Sequence, residues 1–472
     1  MLRHVNVRSL PTLITLTRSS FSRSLRWTST LVQPKESILE PPVLTKSLLA
    51  SRQFILNRPK RLNALNLDMI KIMLPTLKTW EESDLAKVVI LKGEGKALCA
   101  GGDVRDVVSF ASNNDPRLYE VMDKEYQLLH TIANLTTPYV ALMDGFTMGA
   151  GAALCMHGGF KVATENTLFA MPETAIGIFP DVGSSFFLTR LDGQLGTYLA
   201  MTGNTIKGED VLFAGLATHF VPSSRLNALE TRLAELDSAE PDHIDAAIEE
   251  FAATDDQNLQ YSLAGSKRET IERCFNFDTV EEILAALEKD GSDFALQTKS
   301  VMLKRAPTAL KITLEQMRTG ANLDIAQCLK MEHKLLHKIA THHDFREGVS
   351  AHLVSKKQPQ WKPNNLSEVD LSHIKSEYFH GPCQRQLELL PARDYKHHPY
   401  RKYALPSEED IRYVVTNQSR LLPPTMTRQT VVDYFVAARK GKFGVRQKVL
   451  EVLRRKTRTA TVANTMKLEW IY

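Results

Sequence analysis

Two carboxylates and two small-residue turns are the groups in this chain best equipped for chemistry. Glu173 and Asp181 lie in MPETAIGIFPDVG, beside Pro172 and Pro180 and otherwise among apolar residues. Upstream, Met148-Gly149-Ala150-Gly151 follows the apolar run 139–143 and opens a stretch of small residues that suits a helix. Small residues there let a ligand approach the main chain, and the free amides of a helix start suit a developing negative oxygen. A second backbone-exposing turn, Ala100-Gly101-Gly102-Asp103, follows the β-branched run 88–91. Two turns can each aim one N–H at a single oxygen, as a two-donor oxyanion hole requires. Amides for an oxyanion together with paired carboxylates suggest acyl or enolate chemistry. Taken alone, the Gly-Ala-Gly segment reads equally well as a buried strand–turn–helix with two surface acids.

The elements that must hold these groups alternate in type. Residues 67–80 read as a helix behind the capping residue Asn66. Residues 87–91, 139–143 and 160–163 read as short strands. Strand–helix alternation from about 42 to 205 indicates an α/β architecture. From about 206 to 355 the pattern is helical, with helices expected over 226–236, 243–251, 280–288, 309–317 and 325–339.

CAGGDV and DGFTMGAGAAL, taken with MPETAIGIFPDVG, resemble the crotonase (enoyl-CoA hydratase/isomerase) superfamily, and within it the 3-hydroxyisobutyryl-CoA hydrolase branch. NRPKRLNALN at 57–66, ETIERCFNFDTVEEILAALEKD at 269–290, APTALKITLEQMRTG at 306–320, CLKMEHKL at 328–335 and DFREGVSAHLVSKKQPQWKP at 344–363 extend the resemblance over about residues 42–363. The resemblance implies a crotonase-type spiral of ββα turns over 42–205 and a helical cover and oligomerisation region over 206–363. It also implies that the backbone amides of Gly102 and Ala150 form the oxyanion hole. The family usually carries glycine at the second of these positions; Ala150 keeps the donor and adds a methyl group that narrows the acyl pocket. Glu173 matches the catalytic glutamate, which would attack the thioester carbon or activate a water against it. Asp181 matches a partner acid that would shuttle a proton or orient the substrate hydroxyl, and Glu125, in DKEYQLLH, matches a further acid lining the substrate site. Hydratases of the superfamily carry a glutamate three residues after the second oxyanion amide; here that position is Ala153, which cannot titrate, and water addition across a double bond is disfavoured. The reaction implied is thioester hydrolysis, with no cofactor and no metal. Lys60 and Arg105 are the candidate contacts to the coenzyme A phosphates.

Length, charge and cysteines bound the rest. The chain has 472 residues, enough for two or three domains, and no run reaches the length of a membrane span. Its five cysteines are scattered, odd in number and without metal-ligand spacing, so Cys99 and Cys155 read as reduced packing residues. Residues 1–35 hold six basic and no acidic residues and are rich in Ser, Thr and Leu, the composition of a mitochondrial transit peptide that addresses the matrix. Residues 364–472 extend past the resemblance, and 381–472 carry 18 Lys/Arg against 8 Asp/Glu. With a whole-chain charge of +5, the remaining body is acidic. Within the extension, 440–458 reads as a basic helix with Val445, Val449, Val452 and Leu453 on one face, which either packs on the acidic body or contacts RNA. Two functions are therefore expected. One is a mitochondrial 3-hydroxyisobutyryl-CoA hydrolase of valine breakdown, for which the resemblance implies a homo-oligomer packed through the helical region. The other is a structural component of the mitochondrial ribosome small subunit, in contact with rRNA through 381–472.

Overall fold

Short, largely apolar central strands and small-residue turns build a spiral in which each turn feeds two sheets. The computed structural model describes residues 40–254, 259–383, 385–416, 427–462 and 465–471. The basic leader read over 1–35 lies outside the described residues. In chain order the first elements are β1 (Val43–Leu48), β2 (Ser51–Leu56), α1 (Leu67–Glu81), β3 (Val88–Gly93), β4 (Ala97–Cys99), α2 (Val104–Ser112) and α3 (Arg117–Ala133). They are followed by β5 (Tyr139–Met143), β6 (Phe146–Met148), α4 (Ala150–Met156), β7 (Phe160–Ala163), β8 (Leu168–Ala170), β9 (Ile206–Lys207) and β10 (His219–Phe220). The larger sheet has the order β1-β2-β3-β5-β7-β10 and the smaller β4-β6-β8-β9. Consecutive strands β3/β4, β5/β6 and β7/β8 thus contribute one strand to each sheet, and three such turns stack in parallel. This is the ββα spiral expected from the resemblance.

The central strands β3, β5 and β7 are buried on both faces. Val88, Val89, Ile90 and Leu91 are fully enclosed, as a parallel strand covered by helices requires. Each such side chain contributes roughly 1.5–3 kcal/mol of burial. The Asn66 side chain accepts from the Met69 amide and starts α1 where the sequence places it. Later helices also fall close to expectation: Leu226–Ala234, Pro241–Glu249, Val280–Asp290, Pro307–Gly320 and Ile325–Ile339. The two-residue strands β9 and β10 lie past residue 205, within the stretch read as helical; two residues are too few to show a period.

From Pro41 onward the chain forms one compact unit, and the extension is part of it. Tyr403 and Tyr400 pack on Phe160 of β7, at ring distances of 5.0 and 5.3 Å. Phe443 stacks on Phe220 of β10 at 5.5 Å. The helix Val445–Lys456 buries Val445, Val449, Val452 and Leu453 completely, so its apolar face meets the body. Its charges do the same. Lys448 pairs with Asp192 at 2.7 Å, and Lys442, just before the helix, with Glu249 at 2.5 Å. At the other end of the extension, Asp394 meets buried His130 of α3 at 2.8 Å. Of the two uses open to the basic helix, packing on the acidic body is the one its buried face serves.

Candidate active site

The parallel strands of the small sheet deliver the candidate groups to one edge. The Gly101–Gly102 turn follows β4, the Gly149–Ala150 turn follows β6, and Glu173 follows β8. β6 pairs with both β4 and β8, so the three segments leave adjacent strands at their carboxyl ends. Ligands in parallel α/β sheets bind at such ends. A Cβ built on Gly102 would sit 4.0 Å from the Ala150 Cβ, which places the two turns side by side.

Local sequence explains each conformation. Gly149 has φ +50°, and a Cβ there would stand 2.8 Å from Glu173 Oε1; only glycine lets the turn approach the acid so closely. Gly151 lies against the Cys99 carbonyl, where a Cβ would come within 2.2 Å. The first turn is braced from NRPKRLNALN. Arg58 Nη2 pairs with Asp103 at 2.9 Å, and Leu65 N donates to Gly101 O at 2.9 Å while Asp103 N donates to Leu65 O at 2.7 Å. That ladder leaves the Gly102 N–H between them with no protein acceptor among the described residues, and the same holds for the Ala150 N–H at the first position of α4. Both expected oxyanion donors are therefore free to meet a ligand.

The carboxylates form a larger group than the sequence suggested. Glu173 opens a short 3-10 turn, Glu173–Ile176, and is 6% exposed. Its Oε2 is buried with no hydrogen-bond partner among the described residues. Burial, reinforced by Asp181, raises its pKa well above the ordinary glutamate value. Asp181 is half-buried and pushed up to about 7 by desolvation, with the Tyr126 hydroxyl hydrogen-bonded to it. Glu125 on α3 is raised to about 8 by burial and then by Asp181. A fourth acid, Glu332, is fully buried on the helix Ile325–Ile339 and is raised to about 8, again by burial first. Acids that keep one another protonated suit paired acid and base roles.

Glu332 and Tyr126 are the site residues that sequence reading missed. Glu332 accepts from Ser185 N at 2.7 Å, from Ser185 Oγ at 2.5 Å, from Gln316 Nε2 at 3.1 Å and from the Gly183 amide. It therefore holds the turn that follows Asp181. Within that turn Val182 has φ +55°, an outlying conformation for a β-branched residue. Both of its main-chain polar groups are engaged: Val182 N donates to Tyr126 Oη at 3.4 Å, and its carbonyl accepts from His157 Nε2 at 2.8 Å. Strain fixed from both sides aims Asp181. A signal for Glu332 was present, since it falls on the apolar face Cys328, Leu329, Leu335, Leu336 of its own helix.

The remaining expected residues are placed less centrally. Cys99 and Cys155 are fully buried, and burial pushes the Cys99 thiol up to about 12, so neither is a nucleophile. Lys60 is exposed on the turn Pro59–Arg61. Arg105 is exposed on α2 and donates to Leu353 O at 2.7 Å. A cavity of about 860 Å³ lies elsewhere, along the seam between body and extension, and is lined by none of these groups.

The enoyl-CoA hydratase/isomerase family model matches residues 51–379. The chain belongs to this family. It is 47% identical over 330 residues to the human mitochondrial 3-hydroxyisobutyryl-CoA hydrolase, covering 68% of this chain and 85% of that one. It is 41% identical over 449 residues to the small ribosomal subunit protein mS47 of Neurospora crassa, covering 90% of this chain and 87% of that one. The latter share is too large to be confined to 42–363, so that alignment runs into the extension. Among solved structures, a carnitinyl-CoA dehydratase from Mycobacterium thermoresistibile superposes with a TM-score of 0.68 at 33% identity, over 74% of this chain and 98% of that one.

Proposed function

We propose that this chain is a mitochondrial acyl-CoA thioester hydrolase that cleaves 3-hydroxyisobutyryl-CoA to 3-hydroxyisobutyrate and coenzyme A in valine breakdown. The observation that carries this reading is the pairing of two unengaged amides, Gly102 and Ala150, with a buried Glu173 beside Asp181, its Oε2 without a hydrogen-bond partner among the described residues. In it, the thioester oxygen sits between the amides, which stabilise the charge that develops as the carbonyl carbon becomes tetrahedral. Glu173 either attacks the carbonyl carbon itself, the resulting anhydride then being hydrolysed by water, or deprotonates a water that attacks there. Asp181 supplies the proton that the departing thiolate takes up, and Glu125 lines the acyl pocket with it. Ala153, where a hydratase carries its second glutamate, offers no proton for addition to a double bond. The chemistry uses carboxylates and amides alone and asks for no cofactor. Lys60 and Arg105 serve the coenzyme A phosphates. Identity with the human hydrolase over the whole core supports the acyl specificity. Protein lacking 1–35 should release free thiol from 3-hydroxyisobutyryl-CoA, and Glu173→Gln should lower kcat by at least about 10³-fold. Equal turnover by wild type and variant would refute the reading.

A second role, in the small subunit of the mitochondrial ribosome, is favoured by the relative whose alignment includes the extension. Arg393, Lys440 and Arg454 are exposed there and available to phosphates. Replacing all three with Gln should release the protein from small subunits in sedimentation at lower salt than wild type. A protein that never sediments with the subunit at low salt does not have this role.

A further inference from the structure

The helix Ile325–Ile339 carries His333 and His337 one turn apart on one face, and α3 brings Asp123 against them. His333 Nε2 lies 2.8 Å from Asp123 Oδ1 and 3.2 Å from His337 Nε2. All three ligand atoms fall within 4.8 Å of one another. Direct hydrogen bonds among the three atoms are incomplete without a water or an ion. His333 Nε2 has one proton, directed at the carboxylate, and the His337 nitrogen is left facing the same atom without a donor of its own. A cation at the centre would engage all three at once.

The surroundings fit that role. His333 is 1% exposed, whereas Asp123 and His337 are half-buried, so protein closes one side and solvent reaches the other. Arg385 holds the second carboxylate oxygen, Oδ2, with Nε at 2.9 Å and Nη2 at 2.8 Å, and leaves Oδ1 to point inward. Ligating carboxylates are characteristically oriented by such outer contacts. Tyr119 stacks on His337 with ring centroids 5.2 Å apart and planes 10° from parallel, fixing the imidazole. The other His/acid group, His219 with Asp245 and Glu249, differs in kind. The Lys442 ammonium already stands 2.5 Å from Glu249 and 3.6 Å from Asp245, occupying the position a cation would take.

We propose that Asp123, His333 and His337 form a binding site for a divalent transition metal, with zinc the ion best suited to two imidazoles, one carboxylate and an open fourth position. The reading of the sequence found no metal site because Asp123 is some 200 residues from the histidines, at a separation of 210 from His333. A metal here ties α3, which carries Glu125 and Tyr126, to the helix that carries Glu332. Its function is to hold the acids of the active site in register.

Chelator-treated full-length protein titrated with cobalt(II) should develop visible d–d absorption saturating at one equivalent per chain, and zinc should displace it. His337→Ala and Asp123→Asn should each weaken binding by more than the roughly 10–100-fold typical of outer-contact losses. Zinc should raise the wild-type Tm but not that of either variant. Metal-free thermal melts of the variants, read alongside, establish that they are folded. Wild-type protein that binds no cobalt or zinc overturns the proposal. So does binding that survives both substitutions, or binding that Glu173→Gln abolishes, which would place the ion among the active-site acids instead.

Discussion

At the scale of single residues, Glu173 and Asp181 are held in a form that ordinary carboxylates leave behind below neutral pH. Burial raises both, Asp181 to about 7 and Glu173 well above its usual value. A base that must ionise to act makes kcat/KM climb as pH rises through neutrality, instead of levelling off near about pH 5 as for a solvated acid. A pH–rate profile checks this, and Asp181→Asn, which removes the charge acting on Glu173, should move the ascending limb to lower pH. The same shift has a sign in stability. A folded-state pKa above the unfolded value means the folded protein binds more protons between them. The contribution of Asp181 is present below its unfolded value of 3.8 and is lost as pH rises to about 7. Asp181→Asn should therefore be more stable relative to wild type at pH 8 than at pH 4, by on the order of 1–3 kcal/mol in denaturant melts. The origin of the new oxygen separates the two uses of Glu173. In a single turnover in ¹⁸O water, attack by the carboxylate followed by hydrolysis at the glutamyl carbonyl of the anhydride labels the enzyme, whereas water activation labels the product and leaves the enzyme unlabelled.

At the scale of elements, the site is a property of strand ends. Gly102, Ala150 and Glu173 sit after β4, β6 and β8, and their spacing is set by the register of a parallel sheet. Gly149 is where that geometry has least room. Gly149→Ala would put a Cβ 2.8 Å from Glu173 Oε1 at a φ of +50°. It should cost about 1–2 kcal/mol of stability by chemical denaturation and lower kcat more than it raises KM. Helix packing completes the arrangement: Glu332 and Gln316 reach the Asp181 turn from two helices that begin more than a hundred residues later. The strands 139–143 and 160–163 and the helices were legible because apolar periodicity and the Asn66 cap are local signals. β9, β10 and the roles of Glu332 and Tyr126 were not, since each depends on partners distant in sequence.

At the scale of the whole molecule, the extension is bound into the fold. Lys448 is 5% exposed and pairs with Asp192, whose pKa is held at about 2 by Lys448 and Arg268 against the cost of burial. Lys448→Met would leave that carboxylate buried beside a lost partner and should destabilise the protein by about 3–5 kcal/mol near neutral pH. Because the Asp192 pKa is depressed, the stability it confers is present above its unfolded value of 3.8 and lost as pH falls to about 2. The gap between wild type and Lys448→Met in thermal melts should narrow over that window. Removing 381–472 outright would expose Phe160, Phe220 and the body's side of the buried helix. Charge substitutions at Arg393, Lys440 and Arg454 therefore test ribosome binding more cleanly than truncation does.

The sequence by itself determined the α/β alternation, the two amide-bearing turns, the Glu173–Asp181 pair and the uncharged Ala153, because each is a short-range pattern of residue types. It also showed that basic charge concentrates in the last part of the chain. Tertiary structure alone decided that the turns lie side by side, that Glu332 joins the acids, that Asp123 faces two histidines, and that the basic helix spends its apolar face and several charges on the body. Those outcomes rest on sheet register and helix packing between segments far apart in the chain, and on the desolvation that enclosure imposes on every group brought inside.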